Sequence, residues 1–295
     1  MSTRKRIRID WWARQIFRAA GMLTIGLLGG ILLMLIAKSI GFFVAVSPVE
    51  FLGGGEWNPA AAEPHYGILP LLASTGLVAL GSMCIAVPLG IFTAAFMSEL
   101  APRKLQTVLK PIIEMLAAVP SVAIGFAGIV LLGPMLSKVF GLQNGLNALN
   151  GSILLAFMAL PTIITISEDA IRAVPRAHRE ASFALGANRW QTMYRVTLPA
   201  ALPGLIAAVM LGLGRALGET MTVLMATGNA SAMPHGFLDS VRTITATIAI
   251  EMGEVPYGST HYFALFAIAT VLFAITLVIN ILGEYFAKRR RRFGG

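Results

Sequence analysis

The sequence predicts an all-α polytopic membrane protein: six transmembrane helices with both termini cytoplasmic. Three observations carry this reading. Of the 295 residues, 56% are hydrophobic and only 13% are charged, with a mean hydropathy of +0.76. Several runs of about 20 apolar residues are long enough to cross the hydrocarbon core. Of the 23 Lys and Arg residues, 19 fall in four segments that six spans place on one side. Short loops rich in Lys and Arg stay in the cytoplasm. The net charge of +9 is therefore an orientation signal and not a nucleic-acid footprint.

Residues 1–68 are a basic N-terminus, a first span and an outer loop. Arg4, Lys5, Arg6, Arg8, Arg14 and Arg18 precede a span over about 19–46, with Trp11 and Trp12 at headgroup level. Lys38 interrupts that span and can snorkel outward. A cleaved signal peptide is the competing reading. The apolar stretch is too long for one, and Pro48 disfavours cleavage after Ser47, so the helix is retained. Gly26 and Gly30 form a small-xxx-small pair suited to close helix packing. The loop 47–68 holds Glu50, Glu56 and Glu63 without a Lys or Arg, which fits the outer face.

The core, 69–287, holds five more helices. The second span covers about 69–98 with Pro88 inside, and a basic loop of Arg103, Lys104 and Lys110 follows. Pro111 opens the third span, about 111–136, with Glu114 in its first turn to pair with Lys110. The fourth span, about 151–170, contains Pro161, and Glu168 and Arg172 pair on the surface at its inner end. The fifth runs over about 200–227 and the sixth over about 261–287. Between them Val241 to Met252 is apolar enough to lie in the interface or re-enter. Residues 288–295 are a basic cytoplasmic tail, Lys288 to Arg292.

The loop 172–199 carries helix signals at both ends of a polar insertion. Pro175 suits a first helical position. Gly186 closes the helix in the left-handed conformation. Asn188 caps a second short helix from Arg189, and Pro199 opens the next apolar span. A helix–turn–helix tied this tightly to two spans has little slack and can pass force into a membrane bundle. Glu180, Ala181, Gly186, Leu198 and Pro199 match in type and spacing the EAA loop of ABC importer permeases, which the stretch resembles. Ser182 replaces the second Ala and Val196 an Ile. The competing reading is an ordinary amphipathic surface helix. In the family this loop docks into a groove on the ATP-binding subunit and carries its motion to the membrane helices.

Inside the fifth span lie Arg215 and Glu219. A charge at that depth costs on the order of 2.5–3.5 kcal/mol on insertion scales. At i and i+4 they share a helix face, either as a neutralising pair or as the polar wall of an aqueous path. Arg before Glu is the poorer order for a pair, and the guanidinium fork suits an oxyanion. Gly214 and Gly218 read as helix packing. Pro88, Pro120 and Pro161 each free a carbonyl one turn earlier, at Cys84, Leu116 and Phe157. Ser121, Thr162 and Thr165 lie nearby, and Ser121 and Thr162 join the candidate path.

Other chemistry is poorly served. No Gly-Lys dipeptide occurs, so there is no Walker A site, and the glycines near Arg215 lack the strand-to-helix context of a nucleotide loop. The four His residues have no metal-ligand spacing, and the single Cys84 reads as core. An intramembrane enzyme would need a nucleophile–base or metal constellation. A secondary transporter often shows repeat halves, and none is evident.

LAAVPS (116–121), GLGRALGETMTVLMATGNA (212–230) and an outer EWNP…YG pattern extend the resemblance to phosphate ABC importer permeases, the C-type of their two permease subunits. That resemblance implies a type I importer fold and four kinds of partner. These are an A-type permease, two ATP-binding cassette subunits, an external (periplasmic or extracellular) phosphate-binding protein and the bilayer. It implies no cofactor in this chain, with ATP and Mg bound by the ATPase. Another oxyanion or a small solute remains the alternative cargo, and an ion-coupled secondary transporter the alternative class.

Overall fold

The computed structural model describes the backbone of residues 3–293 and the side chains of residues 12–287. The side chains of Arg4, Lys5, Arg6, Arg8, Trp11 and Lys288–Arg292 lie outside the described residues. Thirteen helices and one small hairpin are described. They are α1 (Thr3–Phe43), α2 (Pro48–Gly53), β1 (Trp57–Asn58), β2 (His65–Tyr66) and α3 (Leu69–Ala95). Next come α4 (Arg103–Ala117), α5 (Ser121–Ala127), α6 (Gly133–Phe140) and α7 (Ala148–Arg172). Then follow α8 (Arg176–Ala184), α9 (Arg189–Thr192), α10 (Leu198–Leu217), α11 (Met221–Ala226), α12 (Ile244–Glu251) and α13 (Thr260–Phe293). Six runs are long and apolar enough to span a bilayer: Trp12–Phe43, Leu69–Leu100, Ser121–Phe140, Ala148–Arg172, Arg189–Leu217 and Thr260–Ala287. Helices are what such sequences must form there, because lipid offers no partner to an open backbone group.

The most buried span is α7, clasped between α3 and α10, and α13 packs on α10 and α1. Close approach explains the clasp. A Cβ at Gly90 of α3 would lie 2.6 Å from Ile163 Cγ2, and one at Gly212 of α10 would lie 2.6 Å from Ile163 Cγ1. Ile163 is fully buried as a result. Filling either glycine would overpack the seam by about 1–3 kcal/mol.

Two spans differ from the sequence reading. Pro111 lies inside α4 and does not open the third span. That helix is amphipathic and ends at Ala117, and the span begins at Ser121. Pro120 makes the break, since a residue preceding proline is pushed out of the helical region. The Leu116 carbonyl is not freed, because Val119 N donates to it at 3.3 Å. Glu114 is consequently in mid-helix, exposed, and forms no ion pair with Lys110 among the described residues. The fifth span stops at Leu217, not at 227, and a separate helix starts at Met221.

Smaller corrections concern which faces pack. Glu168 and Arg172 do pair, at 2.6 Å, but Glu168 is buried. Cys84 is exposed on the chain's surface, off the face that buries Ser82, Met83 and Ala86. A Cβ at Gly26, Gly30 or Gly214 would meet nothing within 4 Å, so among the described residues none of them makes the close contact expected. Gly218 is the cap at the end of α10. Lys38 reaches the Tyr257 hydroxyl at 3.4 Å and lies over the Tyr257 and Phe263 rings.

At the bundle end away from α8, the Trp57–Asn58 strand pairs antiparallel with His65–Tyr66. Burial raises the pKa of the Tyr66 phenol above its ordinary value. Trp57 is buried and donates from Nε1 to both Glu251 oxygens, at 3.1 and 3.2 Å. Glu251 also takes Arg242 Nη1 at 3.1 Å and His261 Nε2 at 2.8 Å. One carboxylate thus joins the hairpin, the segment before α12 and the start of α13. The apolar Val241–Met252 stretch is the buried α12 with its lead-in, packed on α13, α11 and α3.

Candidate functional site

Two places carry the candidate residues: the α8–α9 turn and the break after α10. In the first, Pro175 is the N-cap and Arg176 the first helical residue, one position later than expected. Gly186 has φ +84°, with its N–H on Phe183 O at 2.9 Å. Ala187 N donates to Ser182 O at 3.2 Å. These two bonds form a Schellman closure, which favours glycine because its left-handed residue cannot carry a Cβ without strain. Asn188 then caps α9 in a reciprocal box with Gln191, at 2.8 and 2.9 Å. The Ser182 hydroxyl lies 2.9 Å from that of Thr192 and ties the two short helices together.

Pro199 does not open the span. It is the second residue of α10 in a helical run that starts at Arg189, and a π-turn at Met193–Thr197 precedes it. Leu198 N donates five residues back to Met193 O. This wide turn relieves the clash a proline makes with the carbonyl four residues earlier.

Adjacent residues on α8 face opposite ways. Glu180 is exposed and has no ion pair among the described residues, and Ala181 beside it is exposed too. Arg179 points inward. Its Nη2 lies 2.7 Å and its Nε 2.9 Å from Glu99 Oε1, on the π-turn Phe96–Leu100 that ends the second span. Nη1 and Nη2 also donate to Val174 O at 3.1 Å and Ile171 O at 2.8 Å, just where α7 ends. Arg172 reaches Gln106 of α4 at 3.1 Å. In the sequence Arg179 is one of several loop arginines and Glu99 carries no signal of its own, because 80 residues separate the partners.

The second place is the break at Gly218–Thr220. Arg215 ends α10 and donates from Nη1 to Thr162 Oγ1 of α7 at 3.3 Å. Glu219 lies past the helix end and shares no helix face with Arg215; no ion pair joins them among the described residues. Glu219 Oε1 instead accepts Thr222 N at 3.2 Å, at the start of α11. Thr222 Oγ1 donates to Ser121 O at 3.1 Å. Thr245 Oγ1 donates to the Glu219 carbonyl at 2.7 Å. So Arg215 joins Thr162, Glu219 joins Ser121 through Thr222, and α12 braces the break. Polar backbone freed by a helix break at membrane depth is satisfied by protein in this way.

The chain thus has six long apolar helices, a short helical turn closed at both ends between two of them, and a span broken at Gly218–Thr220. Residues 86–292 match the family described as binding-protein-dependent transport system inner membrane component. The chain belongs to that family and is a multi-pass inner-membrane protein of the type I ABC importer permease fold. It is 40% identical over 280 residues to the probable ABC transporter permease protein YqgH of Bacillus subtilis, covering 94% of this chain and 91% of that one. It is 34% identical to the phosphate transport system permease protein PstC of Mesorhizobium japonicum, over 92% and 88% of the two chains. Among solved structures, a bacterial alginate ABC transporter in complex with alginate pentasaccharide-bound periplasmic protein matches with a TM-score of 0.65. That likeness covers 97% of this chain and 96% of that one at 16% identity, and speaks for the fold alone. An inward-facing MetNI methionine ABC transporter matches at a TM-score of 0.57 and 21% identity, over 76% and 94% of the chains.

Proposed function

We propose that the chain is a permease subunit of an ATP-driven phosphate importer, supplying half of the translocation path. The relatives named as phosphate permeases support the cargo, and the closed α8–α9 turn with its outward Glu180 supports the drive. The partners in this reading are an A-type permease, two ATP-binding subunits and an external phosphate-binding protein, with both termini in the cytoplasm. ATP and Mg belong to the ATPase.

Glu180, Ala181, Ser182, Gly186, Leu198 and Pro199 form the coupling element: Glu180 meets a cation of the ATPase, and Gly186 holds the shape that docks. Arg215, Thr162, Glu219 and Ser121 border the path. The observation that carries the path is the guanidinium at the end of α10, held by a hydroxyl and not by a carboxylate. A cation without a counter-ion among the described residues is available to a passing oxyanion. Uptake of labelled phosphate by the complex reconstituted with its ATPase, with sulfate as competitor, tests the reading.

A further inference from the structure

We propose that Arg179 and Glu99 form the rigid link by which a displacement of α8 reaches the second and fourth spans together. The inference rests on the importer reading above and extends it to two residues outside the EAA pattern.

One planar guanidinium touches three elements. It is carried by α8, binds Glu99 at the end of the second span through two nitrogens, and binds the carbonyls of Ile171 and Val174 at the end of α7. The Arg179 and Glu99 side chains are only 18% and 16% exposed, so water screens the pair little. Ile171 and Val174 are themselves buried, which leaves the carbonyls no freedom to follow a different course. A fork with fixed donor directions transmits translation and rotation, whereas a lysine would swivel. The carbonyls sit at the negative end of the α7 dipole, which favours the cation there. Neighbouring Glu180 faces outward. A push on the exposed side of α8 therefore arrives, one residue away, at a clamp on two spans that are themselves packed together. α8 also packs on α9 and on the turn Met193–Thr197 that leads into the fifth span, with the Ser182–Thr192 hydroxyl pair among those contacts.

The clamp makes Arg179 a positioning residue, and its signature is uncoupling. The test uses the full complex in proteoliposomes, with Cys84→Ala as background. Glu99→Cys with Arg179→Cys is expected to assemble and hydrolyse ATP but to fall at least tenfold in phosphate taken up per ATP. A short bis-methanethiosulfonate reagent that bridges the two thiols should restore most of that ratio. A wild-type ratio in the unbridged variant overturns the proposal, and so does a bridged variant that stays uncoupled. Glu99→Gln, which keeps the shape and removes the charge, is read by the same ratio if the double variant assembles poorly. Absence of ATP-driven uptake by the wild-type complex would count against the importer reading itself. Wild-type uptake with unaffected variants would count against the clamp alone.

Discussion

Arg215 of α10 is held by Thr162 of α7 at 3.3 Å, and not by Glu219 four residues on. The difference decides what mutation should do. In a buried ion pair, removing both charges rescues the loss caused by removing one. Here the two groups bond to different partners, so removing the second charge should not rescue the loss of the first. Arg215→Gln is expected to assemble and to lose most phosphate uptake, and adding Glu219→Gln should not restore it. Arg215→Lys keeps the charge without the fork, so partial uptake is expected. Uptake normalised to assembled complex checks this; recovery in the double variant would mean that the groups act as a pair.

The α8–α9 turn depends on two residues that touch little else. Gly186→Val forces a β-branched residue to φ +84°, at a cost of about 1–3 kcal/mol. Asn188→Ala removes a cap worth about 1 kcal/mol. Both variants should insert normally, exchange amide hydrogens faster over 176–197, and bind the ATPase more weakly, Gly186→Val the more so. Unchanged exchange in both would show that the turn does not rely on its caps.

Topology follows from charge. Single cysteines placed at 50–63 or 230–240 are expected to react with an impermeant reagent outside intact cells, and those at 176–195 only after permeabilisation. Labelling at 180–190 from outside would reverse the orientation.

Much of this fold was legible because a bilayer restricts the choice to helices. Length and hydropathy located the second, fourth and sixth spans to within a few residues, whereas at least one end of the first, third and fifth lies about seven to eleven residues from the expected one. Gly186 and Asn188 were legible because capping is local chemistry: a left-handed glycine and an Asn three residues before a Gln leave few options. The end of α10 was not. Gly212 to Thr220 contains no proline and reads as one apolar helix, so Arg215 and Glu219 looked like an i, i+4 pair. What stops the helix is distributed over the chain. Glu219 accepts from Thr222 N in the first turn of α11, and Thr245 and Ser121 hold the break from segments far away in sequence. Arg179 with Glu99 and the Glu251 knot escaped for the same reason. In each, the residue type was visible but its partner was set by packing. Pro111 suits a helix start by type but lies inside α4, and the effective break is at Pro120, nine residues later.

In the proposed importer this chain conducts phosphate only when a separate ATPase drives it through the α8–α9 turn. The most direct test of that dependence is labelled phosphate uptake into vesicles holding the assembled complex, with the binding protein outside and ATP inside. Uptake should require both ATP and the ATPase subunits, resist a tenfold excess of sulfate and be lost in Glu180→Lys. Phosphate uptake by this chain with its partner permease but without the ATPase, driven by an ion gradient, would contradict it.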